Sequence, residues 1–339
     1  MTRCKNCLIN EKFPNIKLDE HNTCNLCSAK KDHVTTNNRF DIKKTQKEFE
    51  EYISKIKGKN EYDCVHLISG GKDSAYLLHL LKEKYKLNVL TVYVDTGLIP
   101  DISHYNVKKT VEIFGTDHIT VKPEDDLFKR IYRQVILNPT EKNYTMSVCA
   151  VCHLLIRSIG VNIAAKKDIP LIVGGYTQNQ FKFKRPELDE ETMSSCWVPE
   201  NISNAEDFDD KDLSYFWNPK MYKIKPRFMH PLCFIDKPKP NDMIEILGKK
   251  GLNKKRNLSP LYTNCHMMWL TAFLDVYTDG YSFYEKHLCN MIRNGKESRL
   301  KWSILLPAGN WLLKNKLIKR KQIKKSLKYI DLSMKDIKN

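Results

Sequence analysis

The chain has 339 residues, of which 41% are hydrophobic, so it is long enough for one large domain with a buried core and a smaller one. Its net charge of +17 favours polyanionic partners, RNA included, although an AT-rich genome also enriches lysine. No run approaches the roughly 18 apolar residues of a membrane span, and the N-terminus has no signal-peptide pattern. We therefore expect a cytoplasmic protein without a membrane partner.

The pattern along the chain predicts five regions. Residues 1–35 form a cysteine-bearing module, and residues 36–60 form an amphipathic linker helix. Residues 61–184 alternate apolar strands with helices, residues 185–225 form an irregular acidic and aromatic insert, and residues 226–339 are mostly helical. The predicted fold class is therefore α/β, with a Rossmann-like core whose parallel sheet is covered on both faces. An N-terminal zinc module and a mainly helical C-terminal part complete it.

Four strands are predicted in the core region, and a helix follows each of the first three. They are DCVHLIS from residue 63, NVLTVYVD from residue 88, DHITV from residue 117 and IPLIVGG from residue 169. Each strand is a short apolar run, as expected for strands that are buried on both faces of a parallel sheet.

The stretch SGGKDS, residues 69–74, follows the first predicted strand and leads into a helix. Its two glycines allow a sharp turn in which backbone N–H groups approach a ligand closely, and the helix adds the positive end of its dipole. Its lysine adds a charge and its two serines add hydroxyl groups. An ordinary tight turn is the alternative. The predicted phosphate-binding residues are Ser69, Gly70, Gly71, Lys72, Asp73 and Ser74.

Two C-x-x-C pairs lie close together near the N-terminus, out of 11 cysteines in the chain. An odd number of cysteines in a reducing compartment argues against a disulfide framework. Cys4, Cys7, Cys24 and Cys27 have the spacing of a tetrahedral zinc site, in which each pair contributes two thiolates. Because the segment is too short to fold around a core of its own, we expect the metal to stabilise it.

A third C-x-x-C pair, Cys149 and Cys152, is predicted to open a helix that packs back toward the sheet. The dipole at the helix N-terminus would lower the pKa of both thiols. The helix itself would aim them toward the phosphate loop. Two buried thiols without a function, and a redox dithiol, remain alternatives.

The SGGKDS loop resembles the pyrophosphate loop of the PP-loop ATP pyrophosphatases, the adenine nucleotide α hydrolase superfamily, over roughly residues 60–180. The resemblance implies that ATP, with Mg²⁺ nearby, is cleaved between its α and β phosphates while a carbonyl or amide oxygen becomes adenylated. It implies catalytic roles for Lys72 and Asp73, and nucleotide contacts from Asp95 and Gly174. Asp95 as an ordinary turn residue is the alternative. Many relatives have acidic residues where this chain has QNQ, residues 178–180.

The later cysteines resemble those of PP-loop tRNA thiolation enzymes, in which three cysteines hold a [4Fe–4S] cluster with one open iron that binds sulfur. The resemblance implies Cys149, Cys152 and Cys265 as cluster ligands and catalytic residues, with Cys233 as a rival third ligand. It implies an ATP-dependent sulfurtransferase that acts on tRNA, a small molecule or a carrier-bound acceptor. A donor protein would supply the sulfur, and such enzymes often form homodimers.

Two alternatives stay open. The N-terminal cysteine module also resembles that of N-acetyl sugar amidotransferases, which implies that ammonia from a partner glutaminase reacts with an adenylated N-acetyl sugar nucleotide. The third possibility is a non-enzymatic zinc and RNA-binding protein with an inactive nucleotide pocket, although the intact Lys72 and Asp73 argue against it.

Overall fold

The structure is a computed structural model that describes residues 2–32, 41–124, 126–141, 143–177, 187–188, 198–252 and 265–337. The chain forms two compact units. The "sheet unit" comprises residues 38–134 and 150–265, and the "cysteine unit" comprises residues 1–37, 135–149 and 266–339. These two units group the segments of the chain differently from the five regions expected from the sequence. The boundaries of those five regions remain a prediction.

A six-stranded sheet forms the centre of the sheet unit. Its strands are β1 (Cys64–Leu67), β2 (Val89–Val94), β3 (Asp117–Val121), β4 (Leu171–Gly174), β5 (Glu187–Leu188) and β6 (Arg227–Met229). The order across the sheet is β3-β2-β1-β4-β6-β5, and all pairs are parallel except the one between β5 and β6. The four predicted strands are all present, so the predicted α/β class with a parallel sheet is confirmed.

The strand β6 was not predicted, because residues beyond 225 were expected to be mainly helical. It contains only three residues, and it pairs with β4 through Leu171, Ile172 and Val173. A strand this short shows no alternation that could be recognised in the sequence. The C-terminal region therefore contributes one strand to the sheet as well as helices.

Helices account for most of the remaining regular structure in the described residues. In chain order they are α1 (Asn25–Asp32), α2 (Ile42–Ile56), α3 (Lys72–His79), α4 (Asp101–Phe114), α5 (Leu127–Leu137), α6 (Tyr144–Lys166), α7 (Glu200–Ser203), α8 (Asp210–Leu213), α9 (Pro240–Lys249), α10 (Met267–Asp279), α11 (Glu285–Arg293), α12 (Arg299–Lys314) and α13 (Arg320–Tyr329). The predicted linker helix corresponds to α2, whose Phe49, Ile53 and Ile56 are buried.

One helix corrects the expectation that no stretch could span a membrane. By length and composition alone, α6 is apolar enough to do so, although 67% of its most apolar window is buried inside the protein. A buried core helix passes the same test, because burial in protein and burial in lipid both select apolar side chains.

The core of the cysteine unit is shared by the N-terminal segment and the C-terminal helices. The ring of Phe13 packs against that of Tyr281, with centroids 4.2 Å apart, and Leu288, Ile292 and Leu306 join the same cluster. Arg3 donates to Glu285 across this interface at 2.7 Å. The N-terminal cysteine segment is therefore supported by distant parts of the chain as well as by any metal.

Candidate nucleotide-binding and metal sites

The phosphate loop lies where the strand order of the sheet reverses. From β1 the chain goes to β2 on one side, and β4 later pairs with β1 on the other side. At such a point the loops that follow the two central strands separate, and they leave a crevice in which open α/β sheets bind ligands. The loop after β1 is SGGKDS, and the loop after β4 begins at Gly175, whose added Cβ would lie 3.3 Å from the backbone of Ser74.

The glycines of the loop have the conformational role that the sequence predicts. Gly70 has φ +72°, and a Cβ at this position would lie 2.4 Å from the carbonyl oxygen of Ser103. Gly71 precedes the first residue of α3, so the backbone N–H groups that follow it point out of the helix N-terminus. The Ser74 hydroxyl donates to the Gly71 carbonyl at 3.0 Å and so closes the turn.

Two buried polar side chains that sequence reasoning missed support the loop from behind. His66 lies on β1, and its Nε2 is 2.9 Å from the Ser74 carbonyl oxygen. Burial lowers the pKa of His66 to about 4, so the ring is neutral near pH 7 and its Nε2–H donates to that oxygen. The Asn106 amide donates to the Gly70 carbonyl at 3.2 Å. His66 lies in an apolar strand and Asn106 in a helix of mixed polarity, and neither residue matches a motif.

The charged groups at the mouth of the loop suit a phosphate bound with a divalent cation. Lys72 Nζ is 2.6 Å from Asp73 Oδ2, and Lys237 Nζ is 3.8 Å from Asp73 Oδ1. Lysine ammonium groups neutralise phosphate oxygens, and an aspartate is a usual Mg²⁺ ligand beside bound phosphates. Sequence reasoning missed Lys237 because it lies far along the chain from the loop.

Asp95 and Gly174, predicted to contact the nucleotide, both have structural partners. The Asp95 carboxylate accepts from the N–H of Gly97 at 2.9 Å, which is the turn role considered as the alternative. The Gly174 carbonyl lies 3.1 Å from His230 Nδ1, and a Cβ on Gly174 would lie 2.7 Å from the His230 ring. Nucleotide contacts from either residue remain a prediction.

The position of the third C-x-x-C pair differs from the one expected. The helix α6 begins at Tyr144, so Cys149 and Cys152 lie in its second and third turns rather than at its N-terminus. The dipole effect of a helix is confined to its first turn, and both cysteines lie beyond the first turn of α6. The two cysteines are three residues apart and therefore share one side of the helix.

A buried tyrosine links two of the predicted cluster cysteines. The Tyr132 hydroxyl is 3.2 Å from Cys152 Sγ, and burial, together with Cys152 and Cys265, raises the pKa of Tyr132 well above its usual value. In the cysteine unit, Cys149 Sγ lies 3.8 Å from the Tyr284 hydroxyl. The assignment of Cys149, Cys152 and Cys265 to one cluster remains a prediction.

The rival ligand Cys233 lies deep in the sheet unit. Its thiol donates to the Tyr176 carbonyl at 3.5 Å, and burial raises its pKa to about 12. Tyr176, which sequence reasoning also missed, stacks on His230 and has its hydroxyl 2.6 Å from His153 Nδ1. Residues 178–180, QNQ, where many relatives have acidic residues, lie outside the described residues.

The N-terminal cysteines come together as predicted. Cys4, Cys7, Cys24 and Cys27 are buried, and their sulfur atoms all lie within 4.8 Å of one another. Cys4 Sγ is 3.8 Å from Cys27 Sγ, and Cys7 Sγ is 3.7 Å from Cys24 Sγ. Four sulfurs bound about 2.3 Å from one tetrahedral ion lie about 3.8 Å apart. The spacing fits a single ion, whereas a cluster of several irons holds its thiolates further apart.

Within the four-cysteine site, the surroundings favour the thiolate of Cys7, whereas burial raises the pKa of Cys24 and the hydrogen bond with Cys7 raises that of Cys27. The Arg293 guanidinium donates to Cys7 Sγ at 3.2 Å. A hydrogen bond from Cys27, with smaller contributions from the Ile9 backbone and Arg293, lowers the pKa of Cys7 to about 5 despite its burial. Arg293 is therefore an outer partner of the candidate ion that the cysteine spacing could not reveal.

Comparison with known proteins gives partial matches. No family model matches the chain. An uncharacterised protein of Methanocaldococcus jannaschii is 41% identical over 90 residues, which is 26% of this chain and 32% of that protein. The chain spans about a third of the length of the curated relatives that it matches.

Several solved structures match over most of the chain, among them the following two. The first is the U34-tRNA thiolase NcsA of Methanococcus maripaludis with its [4Fe–4S] cluster, at 17% identity over 98% of this chain and 89% of that one, with a TM-score of 0.36. The second is the NH3-dependent NAD synthetase of Campylobacter jejuni, at 14% identity over 81% of this chain and 96% of that one, with a TM-score of 0.37. TM-scores this low support no conclusion beyond the fold class that the sheet itself displays.

Proposed function

We propose that the chain is an adenylating transferase that cleaves ATP to AMP and pyrophosphate. The observation that carries this proposal is the SGGKDS loop at the point where the strand order reverses, with Lys72, Asp73 and Lys237 at its mouth. The loop offers backbone N–H groups, two cations and one carboxylate within a few ångströms. These are the groups that a pyrophosphate bound with Mg²⁺ needs.

In the proposed reaction, an oxygen of the acceptor attacks the α phosphate of ATP and pyrophosphate leaves. The N–H groups at the start of α3 and the Lys72 ammonium stabilise the negative charge that develops on the leaving group. Asp73 would hold the Mg²⁺, which supplies further positive charge at the phosphates. The adenylated oxygen then departs as part of AMP when a second nucleophile attacks the activated carbon.

Sulfur is the nucleophile that we propose first. Cys149 and Cys152 share one side of α6. Besides burial, Cys152 and Cys265 both raise the pKa of Tyr132, which supports a common role for these thiols. With Cys265, the pair would hold a [4Fe–4S] cluster, and the cluster would supply the sulfur that displaces AMP. The proposed acceptor is tRNA, a small molecule or a carrier-bound group, and a donor protein would provide the sulfur. A cytoplasmic homodimer belongs to the same proposal.

Nitrogen is the second candidate, because the four-cysteine module also resembles that of N-acetyl sugar amidotransferases. The sulfur spacing of that module suits a single zinc ion and requires no iron. In this alternative, ammonia from a separate glutaminase displaces AMP from an N-acetyl sugar nucleotide.

Metal analysis of anaerobically purified protein distinguishes the two candidates. The sulfur proposal predicts coloured protein with about four iron and four sulfide per chain in addition to about one zinc. Cys149→Ala should lose iron and colour but keep zinc, whereas Cys64→Ala, which removes a buried thiol of β1, should keep both. Colourless zinc protein that forms AMP with ammonia would establish the nitrogen alternative. Protein that forms no AMP with any acceptor, but binds RNA, would overturn the adenylation proposal itself.

A further inference from the structure

The helix α12 of the cysteine unit has an exposed apolar stripe. Leu300, Ile304 and Trp311 are 73%, 66% and 61% exposed, and the exposed Pro307 lies between them. Their spacing of four, three and four residues places them on one side of a helix with 3.6 residues per turn. Large apolar side chains that are exposed singly are normal, but a continuous stripe of this kind marks an interaction surface.

This stripe is not the side by which α12 packs into its own unit. Leu306 and Leu313 form that side and are only 8% and 6% exposed. They are about half a turn away from the Leu300–Trp311 stripe, because each residue advances the helix by about 100°. The helix therefore has two apolar sides, of which one is satisfied by the fold and the other is open.

The stripe lies within the most basic part of the chain. From residue 299 to residue 330 there are ten Lys and Arg residues and no Asp or Glu, so these 32 residues carry a net charge of +10 out of +17. Eight of the ten cations are exposed. Lys301 and Lys314 lie three residues from Ile304 and Trp311 respectively, which places them beside the stripe.

We propose that α12 docks the protein onto an anionic lipid surface. Lipid headgroups would pair with the cations, and the apolar stripe would enter the boundary between headgroups and acyl chains, where tryptophan is favoured. An anionic lipid surface would contact both the cations and the apolar stripe. RNA would pair with the cations but leave Leu300 and Ile304 against phosphates, and a second copy of the chain would bring ten cations against ten. The proposal is independent of the transferred atom and replaces the expectation that the protein has no membrane partner.

Vesicle flotation of the full-length protein tests this proposal. Wild-type protein should float with vesicles of phosphatidylcholine mixed with phosphatidylglycerol, and should bind weakly to phosphatidylcholine alone. Adding salt should weaken the binding, because headgroup attraction is screened within about a Debye length. A triple variant, Leu300→Gln, Ile304→Gln and Trp311→Gln, should bind the anionic vesicles at least about 10-fold more weakly, because it loses the apolar insertion.

The matched control is Met221→Gln, which changes a side chain of the sheet unit that is 65% exposed and that, among the described residues, has no such stripe beside it. It should bind as the wild type does, and unchanged circular dichroism should show that the triple variant is folded. Three results would overturn the proposal: no flotation of the wild type, equal flotation of the triple variant, or RNA binding or dimer formation that depends on the stripe while vesicles are ignored.

Discussion

The two candidate sites of this protein are built in opposite ways. The four-cysteine site of the cysteine unit consists of side chains whose sulfurs lie 3.7 to 3.8 Å apart in the measured pairs, so its geometry depends on the ligands themselves. The phosphate loop of the sheet unit consists mainly of backbone, and its shape depends on Gly70 having no side chain. The first site should therefore fail when a ligand atom is changed, and the second when a carbon atom is added.

The largest effect is expected from Cys24→Ser in the four-cysteine site. Loss of one thiolate leaves three ligands, and because metal binding and folding are coupled, the cysteine unit should lose its zinc and unfold. Zinc content and thermal denaturation would measure both effects. Cys289→Ser is the matched control, since Cys289 is equally buried in the same core but is not one of the four ligands. If both variants retained zinc, the tetrahedral site would be refuted.

The next effect is expected from Lys72→Ala in the phosphate loop. Removing one positive group from a developing negative charge should slow AMP formation by about 100-fold or more without unfolding the protein. Release of AMP and pyrophosphate would be measured under single-turnover conditions. Lys109→Ala removes a partly exposed lysine of α4 that pairs with Glu112, and it should leave the rate unchanged. Equal rates for Lys72→Ala and the wild type would exclude the loop from the reaction.

Adding a methyl group to the loop tests the role of its backbone. Gly70 and Gly58 have nearly equal positive φ angles, +72° and +70°, so alanine at either position costs about 1–2 kcal/mol of backbone strain. Only at Gly70 does the new Cβ meet a backbone atom, 2.4 Å away, whereas Gly58 has nothing within 4 Å. Gly70→Ala should therefore lower both the free energy of unfolding and the rate of AMP formation more than Gly58→Ala does. Indistinguishable variants would show that the loop can move aside.

The sequence predicts those parts of the molecule that depend on neighbours in the chain. The four core strands, the loop between β1 and α3, and the two N-terminal C-x-x-C pairs are all local patterns, and the structure displays each of them. A short local pattern fixes its own geometry because turn and helix preferences act over a few residues.

The features that escaped prediction depend on distant residues. Lys237 reaches Asp73 from far along the chain, Arg293 donates to Cys7 across 286 positions, and β6 exists only because β4 is beside it. The expected start of α6 was wrong for a related reason. Thr145 and Ser147, which precede the predicted start, are buried in its first turns, and the Thr145 N–H donates to the distant Asp275 carboxylate at 3.2 Å.

The smallest predicted effect concerns His66, which supports the loop from β1. Its pKa is lowered to about 4 in the folded protein by burial, whereas an unfolded chain would protonate near pH 6.5. A lowered pKa means that the folded state favours the neutral ring, so its contribution to stability is complete above about pH 6.5 and is lost as the pH falls toward 4. Between pH 7 and pH 5.5 the loss from this one group is about 1 kcal/mol.

His66→Gln, whose amide can still donate to the Ser74 carbonyl, should lack this part of the pH dependence. His21→Gln, which changes an exposed histidine, should retain it. Urea denaturation at the two pH values would measure the difference. If the free energy of unfolding changed equally with pH in all three proteins, His66 would not be buried as a neutral ring behind the loop.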